Sequence, residues 1–248
     1  MRPGRVVVCG LIAAAALVLA GCAVAPGSTR GDPLEPMNRA VFSFNETIDA
    51  EVIKPAATSY QIIVPEFVRT SIENFFNNFN DGWSAINQLL QAKPAAALEM
   101  GLKFSVNTVF GFGGFIDVAG AGIERRSEDF GQTLGRWGIG PGPYLVLPLL
   151  GPSTLRDTVS LAADWQAIPE AFVERGAERW ALATVHVISV RAGLLSATRA
   201  LDEIALDKYS LIRDGYLARR RNQIYDGNPP DEPEPDDGSN ATEATPPK

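Results

Sequence analysis

The feature that most constrains this chain is a long helical stripe after Pro65. Apolar residues recur at Phe67, Val68, Ile72, Phe75, Phe76, Phe79, Trp83, Ile86, Leu89 and Leu90. Between them stand Glu73, Asn74, Asn77, Asn78, Asn80 and Asp81. Steps of three and four residues mark one amphipathic helix, with four aromatics crowded into the nine positions from Phe75 to Trp83. Such a stripe packs into a core or lies in a lipid leaflet with its apolar face down. Similar patterns flank it. From Asn38 the apolar positions Val41, Phe42, Phe44, Ile48, Val52 and Ile53 form a helix that Lys54-Pro55 should stop. Gln91-Ala92-Lys93-Pro94 breaks the central stripe, and Pro94 suits the first turn of a helix through Leu98, Leu102, Val106 and Val109. Farther on, residues from Pro169 to Ala200 read as one long helix and those from Glu203 to Tyr225 as another. Strand-type alternation is missing over most of the chain, so the expected class is all-α.

Two glycine-rich stretches interrupt the helices. Phe110 to Gly122 is apolar but holds Gly111, Gly113, Gly114, Gly120 and Gly122. Each glycine costs a helix about 1 kcal/mol, so a bend or hairpin between apolar arms is expected. The second cluster is Gly135, Gly138, Gly140 and Gly142, interleaved with Trp137, Pro141 and Pro143. Tyr144 to Leu150 is then apolar, and Gly151-Pro152-Ser153 reads as a further helix start.

The amino terminus reads as an address. Arg2 and Arg5 precede an apolar run from Val6 to Ala20, shorter than the roughly 20 residues of a membrane-spanning helix and suited to a secretory signal. It ends in Leu19-Ala20-Gly21-Cys22, which looks like a bacterial lipobox with Cys22 as the lipidated residue. The only other cysteine, Cys9, lies inside the signal, so a mature chain would begin on an unpaired cysteine. Acyl chains there would anchor it, each buried methylene adding about 0.8 kcal/mol. Ala23, rather than Asp, follows the cysteine, which is compatible with sorting to the outer membrane of a Gram-negative cell. The expected divisions are a signal peptide over 1–21, a lipidated tether over 22–31, a helical body over 32–228 and a disordered acidic tail over 229–248. The tail carries Asp231, Glu232, Glu234, Asp236, Asp237 and Glu243 against Lys248, with too little apolar area to bury.

Several chemistries lack material. Without residues 1–21 the chain holds 20 basic and 29 acidic groups, a poor match to nucleic-acid phosphates. One histidine, His186, and no mature cysteine pair leave metal sites and histidine-based acid–base work unsupported. Gly151-Pro152-Ser153-Thr154-Leu155 lacks the last glycine of a nucleophile elbow. Neither glycine cluster has the spacing of a phosphate-binding loop. Glu128-Asp129 reads as a solvated acid pair, and Arg219-Arg220-Arg221 as a solvated helix end favoured by the dipole or a contact for lipid phosphates or an acidic partner. No cofactor is expected.

Asp32-Pro33-Leu34-Glu35-Pro36-Met37-Asn38-Arg39, followed by Phe42-Ser43-Phe44-Asn45, resembles the opening of the MlaA (VacJ) lipoprotein family. Matching stretches follow in order: Asn74-Phe75-Phe76-Asn77-Asn78, Gly113-Gly114-Phe115-Ile116-Asp117-Val118-Ala119, Glu128 to Gly135, Gly140 to Tyr144, and Leu155-Arg156-Asp157. They cover roughly residues 32–160. The resemblance implies a ring-like body of interfacial amphipathic helices around a central channel, lipid-anchored on the periplasmic side of the outer membrane. It implies removal of misplaced phospholipids from the outer leaflet to a periplasmic carrier, MlaC, association with trimeric porins, and lipid asymmetry as the outcome, by transport rather than catalysis. It also gives Phe42, Phe44 and Asn45 a place at the rim.

Within that picture the hairpin carrying Gly111, Gly113, Gly114, Phe115 and Gly120 is the candidate gate, and Gly138, Gly140 and Gly142 its hinge or seat, because glycine absorbs backbone changes cheaply. Two other readings stand beside transport: a structural lipoprotein bracing porins or the envelope, and a lipid hydrolase.

Overall fold

A computed structural model describes residues 32–174 and 176–231. The signal, Cys22, the tether and the tail beyond residue 231 lie outside the described residues.

The described chain is mostly helical. Helix α1 (Glu35–Ile48) has Pro36 in its first turn, where the missing N–H is harmless. Lys54-Pro55 does not end it. A wide π turn, Asp49–Ile53, precedes the proline, and the chain continues as α2 (Lys54–Ile63). Pro55 has no N–H to offer the preceding turn, and the widened turn accommodates that loss. Val64, extended before Pro65, is the actual stop. The central stripe forms α3 (Glu66–Leu90), and α4 (Pro94–Phe110) starts on its proline as expected. A three-residue link makes α3 and α4 antiparallel neighbours and the most extensively packed pair.

After α4 the glycine segment forms successive tight turns and a short 3-10 turn, Ala119–Ala121, rather than a paired hairpin. Helix α5 (Phe130–Arg136) starts at Asp129, whose carboxylate accepts the Gln132 N–H at 2.8 Å. The sequence around Gly151 holds the main difference from expectation. Strands β1 (Tyr144–Leu147) and β2 (Gly151–Thr154) pair antiparallel, Tyr144 opposite Thr154 and Leu147 opposite Gly151. Tyr144 and Val146 are buried and alternate with half-buried Leu145 and Leu147, a period-two pattern too short to stand out in an apolar run. Helix α6 (Leu155–Asp164) begins just beyond, capped by the Thr154 hydroxyl.

The expected long helix from Pro169 to Ala200 is three pieces. A 3-10 turn covers Pro169–Phe172, then α7 (Ala177–Gly193) and α8 (Leu195–Ile204) meet at a 50° bend. Among the described residues no single helix is long and apolar enough to cross a membrane; this bent pair passes by length and composition only together. Helix α9 (Lys208–Ile224) starts later than the sequence pattern suggested, because the Asp207 carboxylate accepts the Tyr209 and Ser210 N–H groups and fixes the first turn there.

The apolar core is small. One cluster joins Ala57, Ala192 and Leu195 across α2, α7 and α8. A second joins Tyr144, Val146 and Tyr209, with Val41, Phe42, Tyr216 and Leu217 against it. Much of the remaining interior is polar.

Candidate functional site

The carboxyl-terminal half of α3 and much of α4 are packed inside out, whereas the aromatic middle of α3 is not: Phe76 is buried and Phe75, Phe79 and Trp83 are half-buried. Asn78, Asp81, Ser84, Asn87 and Gln88 form one stripe of α3, and all are buried. From α4 the buried residues include Lys103 and Asn107. Their apolar neighbours face outward: Phe67 is 73% exposed and Leu98 74%, with Ile86, Leu89, Leu102, Val109 and Phe110 also exposed. The outward set continues through Ile62 and Ile63 at the end of α2 and Trp180, Val187 and Val190 on α7. Large apolar side chains exposed in such number along neighbouring helices mark a surface that meets lipid or a partner.

A buried polar stripe is tolerable only when its groups are paired. Here the partners come from α4 itself, from the segment after it, and from α5 and α6. Lys103 Nζ reaches the Asp117 carboxylate at 2.8 Å and donates to the Ile123 carbonyl at 3.1 Å. Asn107 donates to Asp117 at 2.8 Å and accepts the Ala119 N–H at 2.9 Å. Arg125 pairs with Asp81 at 2.8 Å. Gln91 donates to Glu128, and the Thr133 hydroxyl to Asn87. Trp83 Nε1 and the Phe130 N–H both donate to Asp164. Burial pushes the Asp81, Glu128 and Asp164 carboxyls above the usual range despite these donors. Burial also opposes ionisation of Asp117, but the Lys103 and Asn107 bonds outweigh it and hold that carboxyl below the usual range.

The second polar centre ties α5, α6 and α9. Arg220, buried near the end of α9, donates to Asp129 and Asp157 together, with Nε to Asp157 at 3.0 Å and Nη2 to Asp129 at 2.6 Å. The Tyr216 hydroxyl donates to Asp157 at 2.8 Å, and Arg156 reaches the same carboxylate at 2.9 Å. Burial opposes charge on both aspartates, yet the Arg220 bonds hold them below the usual range. The expected solvated acid pair and solvated arginine run are therefore corrected at Glu128, Asp129 and Arg220. A signal existed: Tyr209, Arg213, Tyr216, Arg220 and Ile224 share one helical face, which a solvated arginine end would not need.

The first glycine segment is clamped to these helices. Gly114 has φ +97°, and a Cβ there would lie 2.5 Å from Asn78 Cβ. Gly111 and Gly120 are similarly crowded, by the Ile116 and Asn107 carbonyls and by Asp117. Phe115 stacks on Phe75 at 5.0 Å, while Gly113 has open space and Phe112 is 78% exposed. The second segment is different. Gly135 is crowded by Arg156 and Ile224 and Gly142 abuts Leu155, but a Cβ on Gly138 or Gly140 would meet nothing within 4 Å. Of the rim residues, Asn45 clamps the β-hairpin, donating to the Leu147 carbonyl and accepting the Leu149 N–H. Seven residues earlier, Asn38 does the same for Tyr144 and Val146. Phe42 packs edge-on against Tyr209, and Phe44 points to the exterior. His186 stacks on Phe76 at 3.9 Å and bonds Glu170 at 2.8 Å.

Beside the Arg220 centre lies a cavity of about 680 Å³. Its walls are Gly135, the stretch from Gly138 to Pro141, Thr154, Arg156 and one face of α9.

Comparisons with known proteins bear on this arrangement. The MlaA lipoprotein family pattern matches residues 30–223. The chain is similar to the intermembrane phospholipid transport system lipoprotein MlaA of Escherichia coli K12, 34% identical over 216 residues, 82% of each chain. The protein of the same name from Haemophilus influenzae is 34% identical over 229 residues, 86% of this chain and 88% of that one. A solved structure described under "Structural basis for maintenance of bacterial outer membrane lipid asymmetry" superposes with TM-score 0.67 at 33% identity, covering 79% of this chain and 99% of that one.

Proposed function

The chain belongs to the MlaA lipoprotein family, and on that premise we propose that it is an outer-membrane lipoprotein that withdraws phospholipids from the outer leaflet and keeps the two leaflets different. The observation that carries this reading is the inverted burial: paired polar groups inside, large apolar residues outside. A helix set built this way suits acyl chains at its exterior and headgroups at its interior. A ring of such helices around a channel, held on the periplasmic face by acylated Cys22, is the arrangement we favour. Phospholipid would pass through it to the soluble carrier MlaC, with trimeric porins as neighbours.

Passage requires a moving part. The Gly111–Gly120 segment could serve only by opening the Lys103–Asp117 tie, whereas Gly138 and Gly140 have room around them. We therefore assign movement to the Gly138–Gly142 strap and a supporting wall to the first segment. His186 is engaged by Glu170 and Phe76, which favours transport over hydrolysis.

The test is transfer of labelled phospholipid from vesicles to the purified carrier by the acylated protein. Transfer without lysophospholipid is expected. Transfer no faster than without protein would leave the bracing role, and lysophospholipid product would make the protein a hydrolase. Crosslinking engineered cysteines across the Gly138–Gly142 strap should stop transfer in a folded protein; full transfer when locked overturns the gate.

A further inference from the structure

The cavity beside Arg220 has the composition of a binding site for part of an amphiphile. Asp214, Leu217, Ala218, Arg221 and Ile224 line it from one face of α9, at the spacing of successive helical turns. Opposite them is the glycine wall, with Ile139 half in the cavity and half exposed. Arg156, itself buried, has Nε and Nη2 on Asp157. Its Nη1 lies along the glycine wall, where a Cβ on Gly135 would come within 2.9 Å and the Ile139 carbonyl accepts at 3.4 Å. A guanidinium carries five N–H donors, so Arg156 keeps donor capacity on the cavity side. At about 680 Å³ the space falls within the range of about 300–1,000 Å³ usual for small-molecule sites.

We propose that this cavity seats the phosphodiester headgroup of a glycerophospholipid, with phosphate on Arg156 and the acyl chains leaving past Ile139. The inference rests on the transport reading above and locates its headgroup site. Charge balance sets the selectivity. Asp214 is paired with Arg213, which also faces Asp32, so Arg156, Arg213, Arg220 and Arg221 stand against Asp32, Asp129, Asp157 and Asp214 and the site offers directed donors without surplus positive charge. Such a site reads the phosphate that all these lipids share and is indifferent to the charge of the group beyond it. Leu217, Ala218 and Ile224 would contact the glycerol backbone, which free phosphate lacks.

Calorimetric titration of the detergent-solubilised, acylated protein tests this with four probes: dihexanoylphosphatidylethanolamine, dihexanoylphosphatidylglycerol, dihexanoylglycerol and inorganic phosphate. The two phospholipids should bind alike. Dihexanoylglycerol and inorganic phosphate should bind about tenfold more weakly or worse, the loss of a charge-assisted hydrogen bond or of apolar contact. Arg156→Lys should weaken both phospholipids about tenfold. Ala218→Trp fills open space without touching the ion pairs and should remove binding at an unchanged melting temperature. Equal binding of dihexanoylglycerol, equal binding of inorganic phosphate, or full phospholipid binding by Ala218→Trp overturns the proposal. Vesicle-to-carrier transfer separates it from the reading it rests on. An Ala218→Trp protein that transfers at the wild-type rate refutes the headgroup seat and leaves transport standing. A wild-type protein that binds the short-chain lipids but transfers nothing refutes transport and leaves the seat.

Discussion

The two glycine-rich segments have similar compositions and opposite surroundings. Residues 111–120 are pressed against α3 and α4, with Gly114 against Asn78 and Asp117 bonded to Lys103 and Asn107. Residues 138–142 cross open space at Gly138 and Gly140. In the first, glycine allows close approach and the segment is fixed by ions behind it. In the second, Gly138 and Gly140 are uncrowded, and the segment is tied only at intervals, by the Arg156 N–H on the Pro141 carbonyl and by Arg156 Nη1 on the Ile139 carbonyl. Glycine content reports conformational permission; the polar partners decide whether it is used for rigidity or for motion.

The sharpest way to break this contrast is Asp117→Ala. Lys103, 1% exposed at its side chain, would lose its carboxylate, and an uncompensated buried charge costs about 3–5 kcal/mol. Denaturant unfolding in detergent should register that loss, and a change below about 1 kcal/mol would mean that the first segment is not held by its ion pair. Gly114→Ala comes next. A positive φ and a 2.5 Å approach to Asn78 both oppose the methyl, and about 1–3 kcal/mol of destabilisation is expected.

Acid provides a test without mutation. The Asp117 carboxyl is held below its ordinary value, so its pairing contributes stability above the unfolded value near 4, and that contribution is lost as pH falls through the lower folded value. Hydrogen exchange at the Ala119 amide, which donates to Asn107, should accelerate in that window, with no matching change at Gly140. Phe112→Ser probes the outward face. It should leave folding nearly unchanged but weaken vesicle association by up to about 1.5–3 kcal/mol, the worth of a buried phenylalanine. Vesicle flotation measures this, and unaltered flotation would place Phe112 away from lipid. The smallest effect belongs to Gly140→Ala, where open space and an unstrained φ predict stabilisation of about 0.4–1 kcal/mol through the unfolded chain. Slower lipid transfer in the same variant would tie the strap's freedom to function.

Much of the architecture could be read from local pattern. The stripe from Phe67 to Leu90 is one helix, Pro94 opens the next, and Asp32 to Asn45 carries the family resemblance that the comparisons bear out. Lys54-Pro55 misled because a π turn can accommodate a proline that an α-helix cannot. The β-hairpin was hidden because its two strands are four residues each, and Asn38 and Asn45, far back on α1, hold its backbone. The Arg220 centre was hidden for a similar reason: its carboxylates lie 91 and 63 residues earlier.

The sequence alone determined that these segments are helices with one greasy and one polar side, because that periodicity is a property of neighbouring residues. Which side faces inward was left to the tertiary structure. Asn78, Asp81 and Lys103 can be buried only where Thr108, Arg125 and Asp117 come to meet them. Periodicity is identical for either orientation; the cost of leaving a polar group unpaired differs between them, and only the assembled partners set that cost.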